Sequence, residues 1–332
     1  MRKEVPYSIG KRDLSCENSW KQLNTHSYKI DKPTIFCFGG NATKTEQIAN
    51  GMCKVAASLI GLKPKQANEG ATYDEVDVVG VSYGQAFKDS SAFASYITQN
   101  ELLELVDNVF VPLAVNENYE RLSVEQAQRN FNQVTFFSHC YGATVVNQLI
   151  SFLFLRMQSF GYSNQEILNI QKQITSISYA PMEEICNVSS IYALSAHDMV
   201  VEVPKYASKG FREVYESYRD GDIAFDGNYL FQEDENTIVL FTSNMNKGPV
   251  SEHTLSLIER GEDWRYTTLN DDNANAVSQI LGYAMAESVA CGLQNRDSQT
   301  FIPKPTLSET LESCQSILSD FKQSDLGISL VK

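Results

Sequence analysis

The chain has 332 residues, 42% of them hydrophobic, and its 27 Lys and Arg against 41 Asp and Glu give a formal net charge of −14. The apolar fraction suffices for a sizeable core, whereas an acidic balance without a Lys/Arg block argues against nucleic acid or an anionic membrane surface as partner. Because the first residues lack the apolar core of a signal peptide and no apolar run approaches the roughly 20 residues of a membrane span, we expect a soluble protein that is cytoplasmic or exported without a Sec signal.

Six short β-rich runs alternate with longer helical patterns. The predicted strands are residues 34–38, 76–81, 134–137, 174–179, 191–194 and 237–241. A capping box at Thr43 and Glu46 opens a helix after the first strand. A mostly buried helix is predicted after the third strand, up to Gly161, and amphipathic helices are predicted at 271–292 and 306–321.

Strands separated by helices imply right-handed crossovers, and thus an α/β three-layer sandwich with a mainly parallel central sheet. We predict an N-terminal extension over residues 1–30 and a single domain over 31–332 that ends with the helix 306–321. The intervals 85–133 and 199–236 are longer than a crossover needs. Because ligands bind beyond the carboxyl ends of parallel strands, we expect these insertions to form walls or a lid there.

The seven cysteines form no metal or redox motif. They lie at positions 16, 37, 53, 140, 186, 291 and 314, and no two have the C-x-x-C spacing. Several lie in apolar stretches, where a cysteine packs like a small hydrophobic residue. We expect six of them to be buried, reduced thiols, with Cys140 as the exception.

The segment Ser138-His139-Cys140-Tyr141-Gly142 follows the third predicted strand and precedes a helix. A strand that turns sharply into a helix can project one side chain into solvent, provided that the residues two before and two after it are small. The helix N-terminus favours a thiolate at Cys140, and the amide of Tyr141 would point at a substrate oxyanion. The segment resembles the G-x-S-x-G nucleophile elbow of the α/β-hydrolase superfamily, with cysteine in place of serine and serine in place of the first glycine.

The resemblance implies an α/β-hydrolase-like fold with a catalytic triad. The family places an acid after a later strand and a histidine after the last one. Asp198 follows the fifth predicted strand and His253 the sixth, so the resemblance implies that Asp198 orients His253 as the base for Cys140. His197 is the reserve base.

Other residues compete for these roles or stand beside them. Glu183 and Glu184 follow the fourth predicted strand and are the rivals of Asp198 as the acid. His139 occupies a position that is commonly histidine in the family's elbow, where we expect a structural role. The aromatic stretch within 206–231 is expected to serve in packing.

A glycine pair follows the first predicted strand, at Gly39-Gly40-Asn41. The family carries its second oxyanion-hole amide at this place, so the resemblance implies that the backbone N–H of Gly40 or Asn41 is the donor. A phosphate-binding loop is the competing interpretation, although the segment lacks both the G-x-G-x-x-G spacing and a Walker lysine.

These residues predict an acyl hydrolase or acyltransferase that forms a thioester acyl-enzyme on an ester, thioester, lactone or amide. The chemistry needs no metal or organic cofactor, and the partner is a small-molecule or acylated substrate, proteins included. The main alternative is a catalytically silent α/β-hydrolase scaffold that binds a ligand or a protein. A third is a nucleotide-binding α/β domain.

Overall fold

The computed structural model of the protein describes residues 7–13, 19–40, 52–59, 75–83, 99–195, 216, 228–242 and 272–322. The strands in these ranges are β1 (Tyr7–Asp13), β2 (Ser19–Leu23), β3 (Thr34–Phe38), β4 (Asp77–Tyr83), β5 (Val134–His139), β6 (Thr175–Tyr179), β7 (Ser189–Ser195), β8 (Asn228–Asp234) and β9 (Thr237–Thr242). The α-helices are α1 (Cys53–Leu59), α2 (Gln99–Leu105), α3 (Val124–Phe131), α4 (Gly142–Ser159), α5 (Asn164–Gln171), α6 (Asp272–Asp297) and α7 (Leu307–Lys322). A π-helical segment (Val106–Phe110) and a 3-10 turn (Val111–Leu113) continue α2.

The described strands form one sheet in the order β2-β1-β4-β3-β5-β6-β7-β9-β8. Six adjacent strands of this sheet, β4-β3-β5-β6-β7-β9, are parallel to one another. β1 and β2 extend one edge and β8 extends the other, each pairing antiparallel to its neighbours. The sheet is therefore mainly parallel, as the alternation of strands and helices predicted.

One face of the sheet packs against α1, α6 and α7. Its core joins Ile35 and Cys37 of β3 to Ile280, Leu281 and Met285 of α6. All five residues of β3 are buried, so the strand presents apolar side chains to both faces. This is the continuous apolar pattern expected of a strand in a parallel sheet that is covered on both sides.

The other face packs against α2, α3, α4, α5 and the π-helical segment. Three rings stand at its centre: the centroid of Phe36 lies 5.0 Å from that of Phe110 and 6.2 Å from that of Phe136. Such ring pairs contribute about 0.5–1.5 kcal/mol each beyond the burial of their area. The fold is an α/β sandwich with helices on both faces, as predicted.

All six predicted strands are present, and they are the six parallel ones. The antiparallel strands β1, β2 and β8 were not predicted, because their sequences, such as YSIGKRD and NYLFQED, lack the apolar run of a buried strand. β1 and β2 lie in the predicted N-terminal extension, and they pair with each other and with β4. The short helices α2, α3 and α5 were missed as well.

The predicted insertions are described only in part. Residues 99–133 of the interval 85–133 contribute to the core on the α4 face, and residues 85–98 lie outside the described residues, so the expected wall or lid from this interval stays a prediction. Most of the interval 199–236 also lies outside them, as does the capping box at Thr43 and Glu46. None of the described helices is long and apolar enough to cross a lipid bilayer.

Candidate functional site

The bend between β5 and α4 carries Cys140. Its φ of 53° lies in the left-handed region, which costs a non-glycine residue about 1–2 kcal/mol. A residue in this conformation lets the chain leave β5 and enter α4 within two residues, with Gly142 as the first helical position. The expected strand-to-helix turn is therefore present, and its strained residue is the cysteine.

Both residues expected to be small are tightly enclosed. A Cβ at Gly142 would lie 2.3 Å from the carbonyl oxygen of Phe38, at the end of β3. Ser138 is fully buried, and its Oγ lies 2.6 Å from Oγ of Ser178 on β6. A Cβ at position 142 would displace the backbone at the end of β3, and a larger side chain at position 138 would have to fit into a fully buried place.

The backbone of Cys140 is fixed by β6 and the loop that follows it. The N–H of Cys140 donates to the carbonyl of Tyr179 (3.2 Å). The carbonyl of Cys140 accepts from the N–H of Ala143 (3.2 Å) and from the N–H of Met182 (3.2 Å). These bonds satisfy both polar groups of a residue that is otherwise strained.

Gly40 lies directly against Cys140. A Cβ at Gly40 would lie 3.0 Å from Cβ of Cys140 and 3.1 Å from Nδ1 of His139. Gly40 is thus one of the residues in contact with Cys140, which is only 6% exposed, whereas the sequence led us to expect a side chain that projects into solvent. Of the two oxyanion-loop donors that the resemblance implies, Gly40 is thus at the cysteine, and Asn41 lies outside the described residues.

Two neighbouring residues complete the described site. Tyr141 is the N-cap residue of α4, so its peptide lies at the positive end of an 18-residue helix. The ring of His139 stacks on that of Tyr179, with centroids 6.1 Å apart and planes 25° from parallel. His139 therefore packs on β6 beside the cysteine.

The loop between β6 and β7 brings a further polar contact that the sequence did not predict. Asn147 of α4 donates through Nδ2 to Oε1 of Glu183 (2.9 Å) and accepts through Oδ1 from the N–H of Cys186 (3.2 Å). No sequence signal singles it out, because Asn147 is one of several polar residues of α4, next to Gln148 and near Ser151. Glu183, a rival of Asp198 as the acid, is thus bonded to the helix that begins at the cysteine.

The remaining predicted residues, Asp198, His253 and the reserve base His197, lie outside the described residues. β7 ends at Ser195 and β9 ends at Thr242, and both strands are parallel to β5 in the same sheet. The chain therefore leaves β7 and β9 at the carboxyl ends of the parallel strands, the end of the sheet where Cys140 lies.

The other described cysteines confirm the expected packing role with one exception. Cys37, Cys53, Cys291 and Cys314 are buried, and Cys16 lies outside the described residues. Burial, aided by the neighbouring Cys53 thiol, raises the pKa of Cys37 well above its usual value, and burial raises that of Cys314 to about 12. The prediction was wrong for Cys186, which is exposed because it lies in the short loop between β6 and β7.

A second buried polar cluster surrounds Lys304. Its Nζ donates to Oγ of Ser288 (2.7 Å), Oγ1 of Thr175 (3.0 Å) and the carbonyl of Val134 (3.1 Å). Burial lowers the pKa of this lysine to about 7. A cavity of about 20 Å³, lined also by Glu287, adjoins it. Because Val134 and Thr175 begin β5 and β6, the cluster lies at the amino ends of the parallel strands, opposite the end where Cys140 lies.

The described residues contain no group of three or more His, Cys, Asp or Glu side chains arranged to hold a metal ion. Comparison with known proteins adds no further constraint on the site: no protein-family model matches the chain, and no curated protein is significantly similar to it.

Proposed function

We propose that the protein is an acyl hydrolase or acyltransferase of the α/β-hydrolase superfamily with Cys140 as its nucleophile. The observation that carries the proposal is the left-handed backbone of Cys140 (φ 53°) at the bend between a buried parallel strand and an 18-residue helix. Strain of this kind at a strand-to-helix turn is typical of a nucleophile elbow. The close approach of Gly40 and Gly142 to this bend supports the same proposal.

In this proposal the thiolate of Cys140 attacks the carbonyl carbon of the acyl substrate, and a C–S bond forms while the carbonyl electrons move to oxygen. The N–H of Tyr141, together with the N–H of Gly40 or Asn41, stabilises this oxyanion. His253, oriented by Asp198, takes the thiol proton and gives it to the departing alcohol, thiol or amine as the C–X bond breaks.

The thioester that results is open to attack by water, amines and thiols. Attack by water gives a carboxylic acid, and attack by another acceptor transfers the acyl group. In either case the sulfur leaves as a thiolate, and the cycle can begin again. The proposed substrates are therefore acyl compounds with a carbonyl attached to oxygen, sulfur or nitrogen.

A silent scaffold that binds a ligand or protein is the second candidate, and the burial of Cys140 favours it. With only 6% of its surface exposed, the thiol is less open than that of Cys186. A reactive cysteine needs access to its substrate as well as a suitable backbone.

The experiment that tests the proposal is acylation by a p-nitrophenyl ester, followed by mass spectrometry of the protein. We expect a burst of nitrophenol and one acyl group on Cys140, released by hydroxylamine as a thioester would be. Cys140→Ala should abolish the burst, and Cys186→Ser is the matched control because it removes the exposed thiol. An unchanged burst in the Cys140→Ala protein, or acyl adducts only at other residues, would refute the proposal in favour of the silent scaffold.

A further inference from the structure

Asn147 joins α4 to the loop between β6 and β7. Its Nδ2 lies 2.9 Å from Oε1 of Glu183, and its Oδ1 lies 3.2 Å from the backbone nitrogen of Cys186. One side chain thus holds the loop by a side-chain bond and a backbone bond. We refer to Asn147, Glu183 and the backbone of Cys186 as the loop clamp.

The clamped loop also holds the peptide between Cys140 and Tyr141. The N–H of Met182, next to Glu183 in the chain, donates to the carbonyl of Cys140 (3.2 Å). A trans peptide is planar, with its C=O and N–H pointing in opposite directions. The bond from Met182, together with that from the N–H of Ala143 (3.2 Å), therefore fixes the carbonyl of Cys140 and with it the direction of the N–H of Tyr141.

The loop begins with a strained residue of its own. Ala180 has a φ of 46°, and its N–H donates to the carbonyl of Ala193 on β7 (2.9 Å). Left-handed non-glycine residues persist only where surrounding contacts determine them. Met182, which bonds to Cys140, comes only two residues after Ala180, so loosening the loop would remove one of the contacts that hold Cys140 in its strained conformation.

We propose that Asn147 is a positioning residue, which orients the N–H of Tyr141 toward the oxyanion by holding the loop between β6 and β7. This inference rests on the proposed role of Cys140. Without the clamp, the carbonyl of Cys140 loses the donor that comes from the loop and keeps only the N–H of Ala143 in the first turn of α4, so the peptide that carries the N–H of Tyr141 is held less tightly. The thiol itself keeps its place at the end of β5.

Two reactions of Cys140 separate positioning from general damage to the fold. Acylation by a p-nitrophenyl ester passes through an oxyanion, whereas alkylation by iodoacetamide displaces iodide at a saturated carbon and forms none. The quantity to measure is the rate of acylation divided by the rate of alkylation, both on Cys140. Losing one oxyanion donor costs about 10²–10³-fold in rate, so we expect about a tenfold fall in this ratio for a misdirected one.

The variants exploit the polarity of the clamp. Asn147→Asp places a carboxylate against that of Glu183 and should lower the ratio. The double variant Asn147→Asp with Glu183→Gln reverses donor and acceptor, because the amide of Gln can donate to Asp, and should restore the ratio. Glu183→Gln alone completes the cycle, and Gln148→Ala alters an exposed neighbour on α4 as the matched control.

Each outcome decides the question. A ratio that falls in Asn147→Asp and recovers in the double variant supports the clamp. A ratio that stays constant across the folded variants, as monitored by thermal unfolding, overturns it while the proposed function stands. If wild-type Cys140 is alkylated but never acylated, the proposed function fails, and this inference fails with it.

Discussion

Gly142 packs against the end of β3 so closely that a Cβ at position 142 would lie 2.3 Å from the carbonyl oxygen of Phe38. The contact joins the first turn of α4 to the strand that leads into Gly39 and Gly40. Since backbone atoms cannot yield as a flexible side chain can, any larger residue at position 142 must separate α4 from β3.

We expect Gly142→Ala to lower the free energy of unfolding by about 1–3 kcal/mol, the usual cost of overpacking, although alanine generally stabilises a helix. Urea denaturation gives this value directly. Gly161→Ala is the comparison, because Gly161 has a φ of 87° and, within the described part of the chain, open space for 4 Å around the place that a Cβ would occupy. Its cost should come from conformation alone, about 1–2 kcal/mol, and should leave Cys140 reactivity unchanged. A Gly142→Ala protein as stable as the wild type would contradict the close contact.

The parallel core of this fold could be predicted from sequence because its strands are buried on both faces. β3 reads TIFCF and every residue of it is buried, so composition alone identifies it. β1 and β8 carry lysine, arginine, aspartate or glutamate, and they pair only because the sheet offers them an edge. Such pairing depends on tertiary structure, which local patterns do not contain.

The candidate site likewise has features that the local sequence predicts and features that only tertiary packing creates. The small residues around Cys140 predicted the bend, since their spacing follows from the crowding of the backbone. The contact between Asn147 and Glu183 joins two segments that the sequence separates, and only the packing of the β6–β7 loop on α4 brings them together. The burial of Cys140 was missed for the same reason, because contacts such as that with Gly40, which follows β3, come from a distant part of the sequence.

Gly40→Ala should affect the cysteine more than the fold. The added methyl would lie 3.0 Å from Cβ of Cys140 and 3.1 Å from Nδ1 of His139; the imidazole can shift, whereas Cβ of Cys140 moves only with its backbone. We expect the free energy of unfolding to fall by about 1 kcal/mol and the alkylation of Cys140 by iodoacetamide to slow by about tenfold, roughly 1.4 kcal/mol in the barrier. Alkylation of the exposed Cys186, followed in the same sample by mass spectrometry, serves as the internal control. Equal slowing at both cysteines would count against a specific contact.

The hydroxyls of Ser138 and Ser178 form a buried pair between β5 and β6, 2.6 Å apart. Ser138→Ala leaves the partner hydroxyl without this bond in a fully buried place, at a cost of about 1–3 kcal/mol. Removing both hydroxyls leaves neither of them orphaned, so the double variant Ser138→Ala with Ser178→Ala should cost less than the two single changes added together. Urea unfolding of the four proteins gives the coupling. Additive losses would show that the two hydroxyls do not depend on each other.

Lys304 should make the stability of the protein depend on pH near neutrality. Burial lowers its pKa from 10.5 to about 7 in the folded state. Between about pH 7 and pH 10.5 the unfolded chain holds a proton that the folded protein has released, so the free energy of unfolding rises with pH over this range. As the pH falls, this part of the stability decreases, and it has disappeared below about pH 7. From about pH 6.5 to about pH 8.5 the rise should be about 2 kcal/mol.

The chosen range avoids the buried thiols. The pKa of Cys314 is raised from 9.0 to about 12 in the folded protein. This thiol therefore makes stability fall as the pH rises, the opposite of the effect of Lys304, but only near and above pH 9, where the thiol ionises in the unfolded chain. Lys304→Met keeps the length and the apolar stem but removes the titrating group, and its stability should lack the rise. Urea denaturation at several pH values measures both proteins. Because the hydroxyls of Ser288 and Thr175 can also donate to a neutral amine, wild-type Lys304 keeps its bonds when it loses its proton. Parallel pH profiles for the wild type and Lys304→Met would mean that this lysine stays charged in the fold.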